Sequence, residues 1–159
     1  MKNKTKKYSK NKKTPISIIL IIVWMFLMVF RGFGKLINIR KFELNQMLFG
    51  KTFALINYFM DIMILIVFII LITLFMKRSR NAWKYFIYLM LFLILGVIIG
   101  SIYGLIYSEK FVDVVISQRG INFPPQFFIF AMIIGLIIVI LFYSLLIYLV
   151  YKNRNYFKR

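Results

Sequence analysis

Residues 53–76 read FALINYFMDIMILIVFIILITLFM, from Phe53 to Met76. These 24 residues hold one group charged at neutral pH, Asp61. As a helix rising about 1.5 Å per residue, the stretch reaches roughly 36 Å, enough to cross a hydrocarbon core of about 30 Å. An acid inside such a span is costly and has either a partner or a task. The rest of the 159-residue chain follows the same pattern. It is 62% hydrophobic, with a mean hydropathy of +0.86, well beyond the roughly 45–50% apolar content of soluble domains.

Three further apolar runs flank this one. Ile16 to Phe30 (ISIILIIVWMFLMVF) covers only about 22 Å as a helix, so the first span is expected to continue past Arg31 to about residue 36. The bulky Trp24, Met25 and Phe26, with no small-residue cleavage site after them, favour an uncleaved span over a secretory signal. The remaining spans are expected at about 85–107 and 127–151. The reading is an all-α integral membrane fold, a four-transmembrane-helix bundle occupying residues 15–151. Residues 1–14 form a basic, disordered tail and residues 152–159 a basic C-terminal tail. Thr14 and Pro15 are expected to start the first helix, with the hydroxyl as cap and proline in the first turn.

Between the first two spans, LINIRKFELNQMLFGK (36–51) mixes apolar and charged positions without a clear period. It reads as an interfacial segment, a short helix at the surface. The longest loop, EKFVDVVISQRGINFPPQ (109–126), places Phe111, Val112, Val115 and Ile116 on one helical face. A short amphipathic helix ending near Gly120 is expected there.

Charge sets the orientation. The 22 Lys and Arg against four Asp and Glu give a formal +18. In a soluble chain this would point to nucleic acid; here the cations gather at span ends, where they meet anionic lipid headgroups. The first 14 residues hold seven lysines, the turn at 77–84 four cations and the C-tail four. The other side holds Arg31, Lys35, Arg40, Lys41, Lys51, Lys110 and Arg119, together with Glu43, Glu109 and Asp113. The positive-inside rule therefore puts both termini in the cytoplasm. The Lys-, Asn-, Ile- and Phe-rich composition fits an AT-rich bacterial genome, hence a bacterial cytoplasmic membrane.

The chain has no cysteine and no histidine. This removes thiolates, imidazole bases and the usual zinc, haem and iron–sulfur ligands. No cofactor or metal is expected, and no acid–base pair with catalytic spacing is visible, so an enzyme is not expected.

Two polar or small-residue constellations stand out. Arg31 lies about 22 Å from the start of its span, and Asp61 about 22 Å from the end of the next. Consecutive spans are usually neighbours, so Arg31 and Asp61 are expected to form an intramembrane pair. Asn57 lies one turn before Asp61 on the same face. The pair reads either as a structural lock between two helices or as a polar pocket for a small ligand, lipid headgroup or peptide. The second constellation is Gly96, Gly100 and Gly104, two overlapping G-x-x-x-G motifs, with Ala131 and Gly135 as a single small-xxx-small pair in the last span. Packing of these stripes inside the monomer is expected ahead of a homo-oligomeric seam.

The basic turn FMKRSRNAWKYF, the ending IYLVYKNRNYFKR and the four-span pattern resemble small uncharacterised bacterial membrane proteins of the domain-of-unknown-function type. The resemblance implies topology and carries no activity or site residues. The functional expectation is a non-enzymatic multi-pass protein acting through helix or loop interactions. It would be an immunity or self-protection factor, or an accessory subunit of a membrane complex, with a membrane protein as partner. The alternative is a small transporter or channel component with a polar site at Arg31, Asn57 and Asp61.

Overall fold

The computed structural model describes residues 14–110, 112–113 and 124–157. Among them, all regular structure is helical: α1 (Ile16–Ile37), α2 (Ile39–Phe49), α3 (Lys51–Met76), α4 (Ala82–Ile106), α5 (Pro125–Lys152) and a 3-10 turn (Arg154–Phe157). Four of these, α1, α3, α4 and α5, are long and apolar enough to cross a membrane. Residues 108–110 and 112–113 are also helical, with Val112 buried and Asp113 exposed. The remainder of the helix expected over 109–120 lies outside the described residues, as do residues 1–13 of the basic tail.

The first half of the chain is nearly continuous helix, broken twice by single residues. At Asn38 (φ −82°, ψ 87°) the backbone leaves helical geometry. At Gly50 (φ 87°, ψ 164°) it enters a region open essentially to glycine alone, while its N–H still closes on the Gln46 carbonyl at 3.0 Å. The segment whose period was undecided in sequence is thus a helix, α2, and it packs along α3. Pro15 is the cap of α1, its carbonyl accepting from Ile18 and Ile19. Thr14 does not cap; its hydroxyl accepts from Arg78 at 3.4 Å and lies 3.5 Å from the Tyr156 hydroxyl. At the start of α5, Pro125 occupies the first turn after Pro124, where a missing N–H costs nothing.

The turn from α3 to α4 is a Schellman motif. The Arg78 N–H bonds to the Phe75 carbonyl at 3.1 Å and the Ser79 N–H to the Leu74 carbonyl at 2.9 Å. Arg78 takes the left-handed position (φ 54°) that glycine usually fills. Its guanidinium lies 4.7 Å from the Tyr156 ring centroid, a cation–π contact that offsets part of the backbone cost.

α1 packs mainly on α3, and α4 mainly on α5. The two pairs join through one core at the end bearing the termini. Its buried members include Ile18, Ile21 and Met25 of α1, Phe68, Leu71, Ile72 and Phe75 of α3, Phe86 and Met90 of α4, and Leu146 and Val150 of α5. Phe157 completes it, fully buried, with its ring 4.7 Å from that of Phe75. Residues 152–157 of the basic C-terminal segment are thus held against the bundle. α5 runs to Lys152, Asn153 donates to the Leu149 carbonyl and the Ser17 hydroxyl, and the 3-10 turn folds Phe157 back into the bundle. The aromatic side chain, not the charges around it, decides the path of the segment, because an exposed benzyl group gains by leaving water.

Candidate functional site

Trp24 is the hub of the four long helices. Its indole meets Phe68 of α3 (5.7 Å between ring centroids), Phe86 of α4 (6.3 Å), and Phe142 and Tyr143 of α5 (5.9 and 6.2 Å), all steeply inclined. Each such edge contact is worth about 0.5–1.5 kcal/mol beyond burial. On the terminal side of this hub the helices are sealed by the apolar core. On the far side they part: the buried positions of α4 stop at Met90, and those of α5 begin only at Leu146.

The gap is a cavity of about 290 Å³. Phe68 and Tyr143, the rings against Trp24, line its base. Its walls are Met28, Gly32, Ile64, Leu65, Leu93, Val97 and Val139, and its charged lining is Arg31, Lys35 and Asp61. At about 30 Å³ per molecule it would hold on the order of ten waters.

Asp61 is not paired with Arg31. Lys35 Nζ lies 3.4 Å from one carboxylate oxygen, and Lys41 of α2 makes a close ion pair with the other. The Asp61 side chain is 18% exposed, those of Lys35 and Lys41 42% and 35%. Helix register explains the correction. α1 and α3 run antiparallel, with Gly32 packed against the Leu65 side chain, where a Cβ on the glycine would lie 2.5 Å from Leu65 Cδ1. Four residues further along each helix, position 61 faces position 36, not 31. Counting both spans from a common boundary misplaces the pair by about one turn, and it omits α2, which brings Lys41 across from outside the two spans. Tyr58 ties the same region together, donating to the Leu36 carbonyl at 3.5 Å and edging onto Phe42 at 6.2 Å.

Arg31 and Asp61 thus share a cavity without sharing an ion pair. Asn57 is half-buried on α3 and joins neither that cavity nor the narrow crevice between Lys35, Lys41, Phe42 and Tyr58.

The glycine stripe is corrected in part. A Cβ at Gly104 would lie 2.8 Å from Met132 Sδ, so this glycine does admit α5. Gly96, Gly100 and Gly135 have nothing within 4 Å of that position, and Ala131 is exposed. Another glycine contact between helices is at Gly32, which takes the Leu65 side chain. In sequence, Gly32 sits in an R-G-F-G-K run without G-x-x-x-G spacing, and no periodic signal marks it. Trp24 was equally silent: a lone tryptophan mid-span is one bulky residue among many.

A second crevice, of about 430 Å³, lies at the far ends of α2, α3 and α4. It is bounded by Phe49, Phe53, Tyr103, Tyr107 and Lys110. Phe49 edges onto Tyr107 (5.5 Å) and Phe53 faces Tyr103 (6.2 Å), so aromatic rings bridge α3 to α4 beyond the cavity. Among the described residues no group of three or more Asp or Glu converges. The chemistry the lining offers is therefore cationic: it suits an anion better than a metal ion.

These features define an all-helical protein with four helices of membrane-span hydropathy, the pattern of a multi-pass membrane protein. Comparisons with protein-family models, with curated proteins and with solved structures find no match.

Proposed function

We propose that this chain is a multi-pass protein of the bacterial cytoplasmic membrane, with both termini in the cytoplasm, acting by non-covalent recognition rather than catalysis. Lipid as solvent accounts for the outward faces of the long helices, where Leu20, Leu27, Phe30, Ile56, Phe59, Ile70, Phe130 and Leu141 are all exposed. The excess of Lys and Arg in the tails and the 77–84 turn supports a cytoplasmic location for that end. Cation–aromatic contacts gather there as well: Lys84 over Trp83, Lys152 over Tyr148 and Arg154 over Tyr151.

The observation that carries the reading is the blind cavity. It holds charged groups at the level of Arg31 and Asp61 but ends on the Phe68–Tyr143–Trp24 layer and the sealed core. A blind, asymmetric site suits capture of a molecule or peptide from the outer half of the bilayer. The role follows as protection of the host membrane against a membrane-active agent, or as an accessory subunit that a larger membrane complex engages. The charged lining favours one alternative, a transporter or channel component; the aromatic floor opposes it. The resemblance to small four-span bacterial proteins fits either role.

The test has two arms. Cells making the chain are challenged with pore-forming peptides, and the chain is captured in mild detergent. Protection, or stoichiometric capture of a membrane protein, supports the reading, and Asp61→Asn weakens whichever is found. Purified chain in sealed vesicles should pass neither ions nor small dyes; a flux that Trp24→Ala enlarges would overturn it in favour of transport.

A further inference from the structure

Three cations stand around one acid at the cavity: Arg31 and Lys35 line it beside Asp61, and Lys41 closes on Asp61 from α2. One carboxylate neutralises one of them, leaving a formal excess of two positive charges at an otherwise apolar site. The chain's other acids do not relieve this. Glu43 is exposed on the surface of α2, and Glu109 and Asp113 lie beyond the end of α4 and are exposed too. Arg31 is exposed, as in part are Lys35 and Lys41, so the excess is open to an anion. Beside the charges the walls are aliphatic, with Leu65, Leu93, Val97 and Val139. The apolar core that joins the two helix pairs lies at the other end of the bundle. Cationic groups and aliphatic walls in one cavity together suit an amphiphile.

We propose that the cavity binds one anionic membrane lipid, its phosphate between Arg31 and Lys35 and part of an acyl chain against the Leu93–Val97 and Val139 walls. The Lys35–Asp61–Lys41 bridge holds Lys35 in place for that contact and keeps α2 over the site. The proposal rests on the binding reading of the cavity, and the two fail separately. Solute flux would overturn that reading whatever lipid is bound, whereas loss of lipid selectivity would overturn only the choice of ligand.

Trp24 supplies the reporter, because it lies one ring below the cavity and Trp83, the only other tryptophan, sits at the start of α4. The full chain carrying Trp83→Phe is placed in phosphatidylcholine vesicles. Brominated phosphatidylglycerol or brominated phosphatidylcholine is then titrated in. The expected result is half-maximal quenching of Trp24 at a several-fold lower mole fraction of the anionic lipid. Arg31→Gln and Lys35→Gln should each shift the anionic curve towards the zwitterionic one by about fivefold. Superimposable curves in the Trp83→Phe chain overturn the proposal without recourse to any cavity variant. So does an anionic preference that survives both substitutions, with the Trp24 emission maximum unchanged to show that the floor is intact. Inorganic phosphate in tens of millimolar should leave the preference standing; if it abolishes the preference, the site takes a free anion and the lipid assignment fails.

Discussion

Replacing Asp61 with asparagine removes the one negative charge that joins α1, α2 and α3, and its cost can be bounded from the geometry. At 3.4 Å from Lys35, and with an effective dielectric of about 20, the gross attraction is on the order of 5 kcal/mol. Most of that is offset by the desolvation of a carboxylate only 18% exposed and by the ordering of two long lysine side chains. The lysines are themselves about two-fifths and one-third exposed, so the site lies between a surface pair, worth about 0–1 kcal/mol, and a buried one, whose breakage costs about 3–5 kcal/mol. A loss of about 2 kcal/mol is expected, which for a chain of this size lowers the midpoint by roughly 4–8 °C. The assay is thermal unfolding of the detergent-solubilised chain, followed by near-UV circular dichroism. Double-mutant cycles then locate the partners. Coupling of Asp61→Asn with Lys41→Gln, and with Lys35→Gln, should reach about 1 kcal/mol and exceed coupling with Arg31→Gln. Strict additivity with both lysines, or a larger coupling with Arg31, would refute the register argument built on Gly32 and Leu65.

Other substitutions probe the rest of the bundle. Gly32→Ala must push the Leu65 Cδ1 methyl aside, which offsets its helix-propensity gain and leaves it within about 1 kcal/mol of neutral, whereas Gly96→Ala and Gly100→Ala, with open space around them, should gain about 0.5–1 kcal/mol each from helix propensity; thermal unfolding of the three variants checks the contrast. Arg78→Gly relaxes the left-handed backbone while losing the Tyr156 contact, so it should be about 1 kcal/mol more stable than Arg78→Ala, which loses the contact and keeps the strain. Phe157→Ala should cost about 3 kcal/mol, because a fully buried ring leaves a hole beside Phe75. Faster proteolysis of the C-terminus after Lys152 would accompany it.

What the sequence disclosed was set by hydrophobic length. A run such as 53–76 admits few structures other than a long helix, and four such runs leave little choice of fold class. Charges near span ends were equally legible as a class, but their partners were not. Counting from a shared boundary pairs Arg31 with Asp61, whereas the packed helices bring Lys35 to Asp61 and Tyr58 to the Leu36 carbonyl, and Gly32, which takes the Leu65 side chain, carries no periodic mark. The G-x-x-x-G stripe showed the converse failure. Its spacing permits close approach on one face of α4, but only Gly104 has α5 against it, while nothing comes within 4 Å of a Cβ at Gly96 or Gly100. Phe157 stands among Arg154, Lys158 and Arg159, where composition reads as a basic tail. Trp24 became visible as a hub only when Phe68, Phe86, Phe142 and Tyr143, from three other helices, were seen around it. Such convergence is a property of packing, not of any local stretch.

Because the chain has no cysteine of its own, single cysteines at exposed positions report directly on which face of the membrane each connection occupies. Arg80→Cys, Lys110→Cys and Asn155→Cys, each exposed, are treated in intact cells with a membrane-impermeant maleimide, then again after permeabilisation. The account predicts that Lys110→Cys reacts at once, while Arg80→Cys and Asn155→Cys react only when the membrane is opened. Labelling of Arg80→Cys or Asn155→Cys in intact cells, or release of the unlabelled chain from membranes by alkaline carbonate, would contradict it.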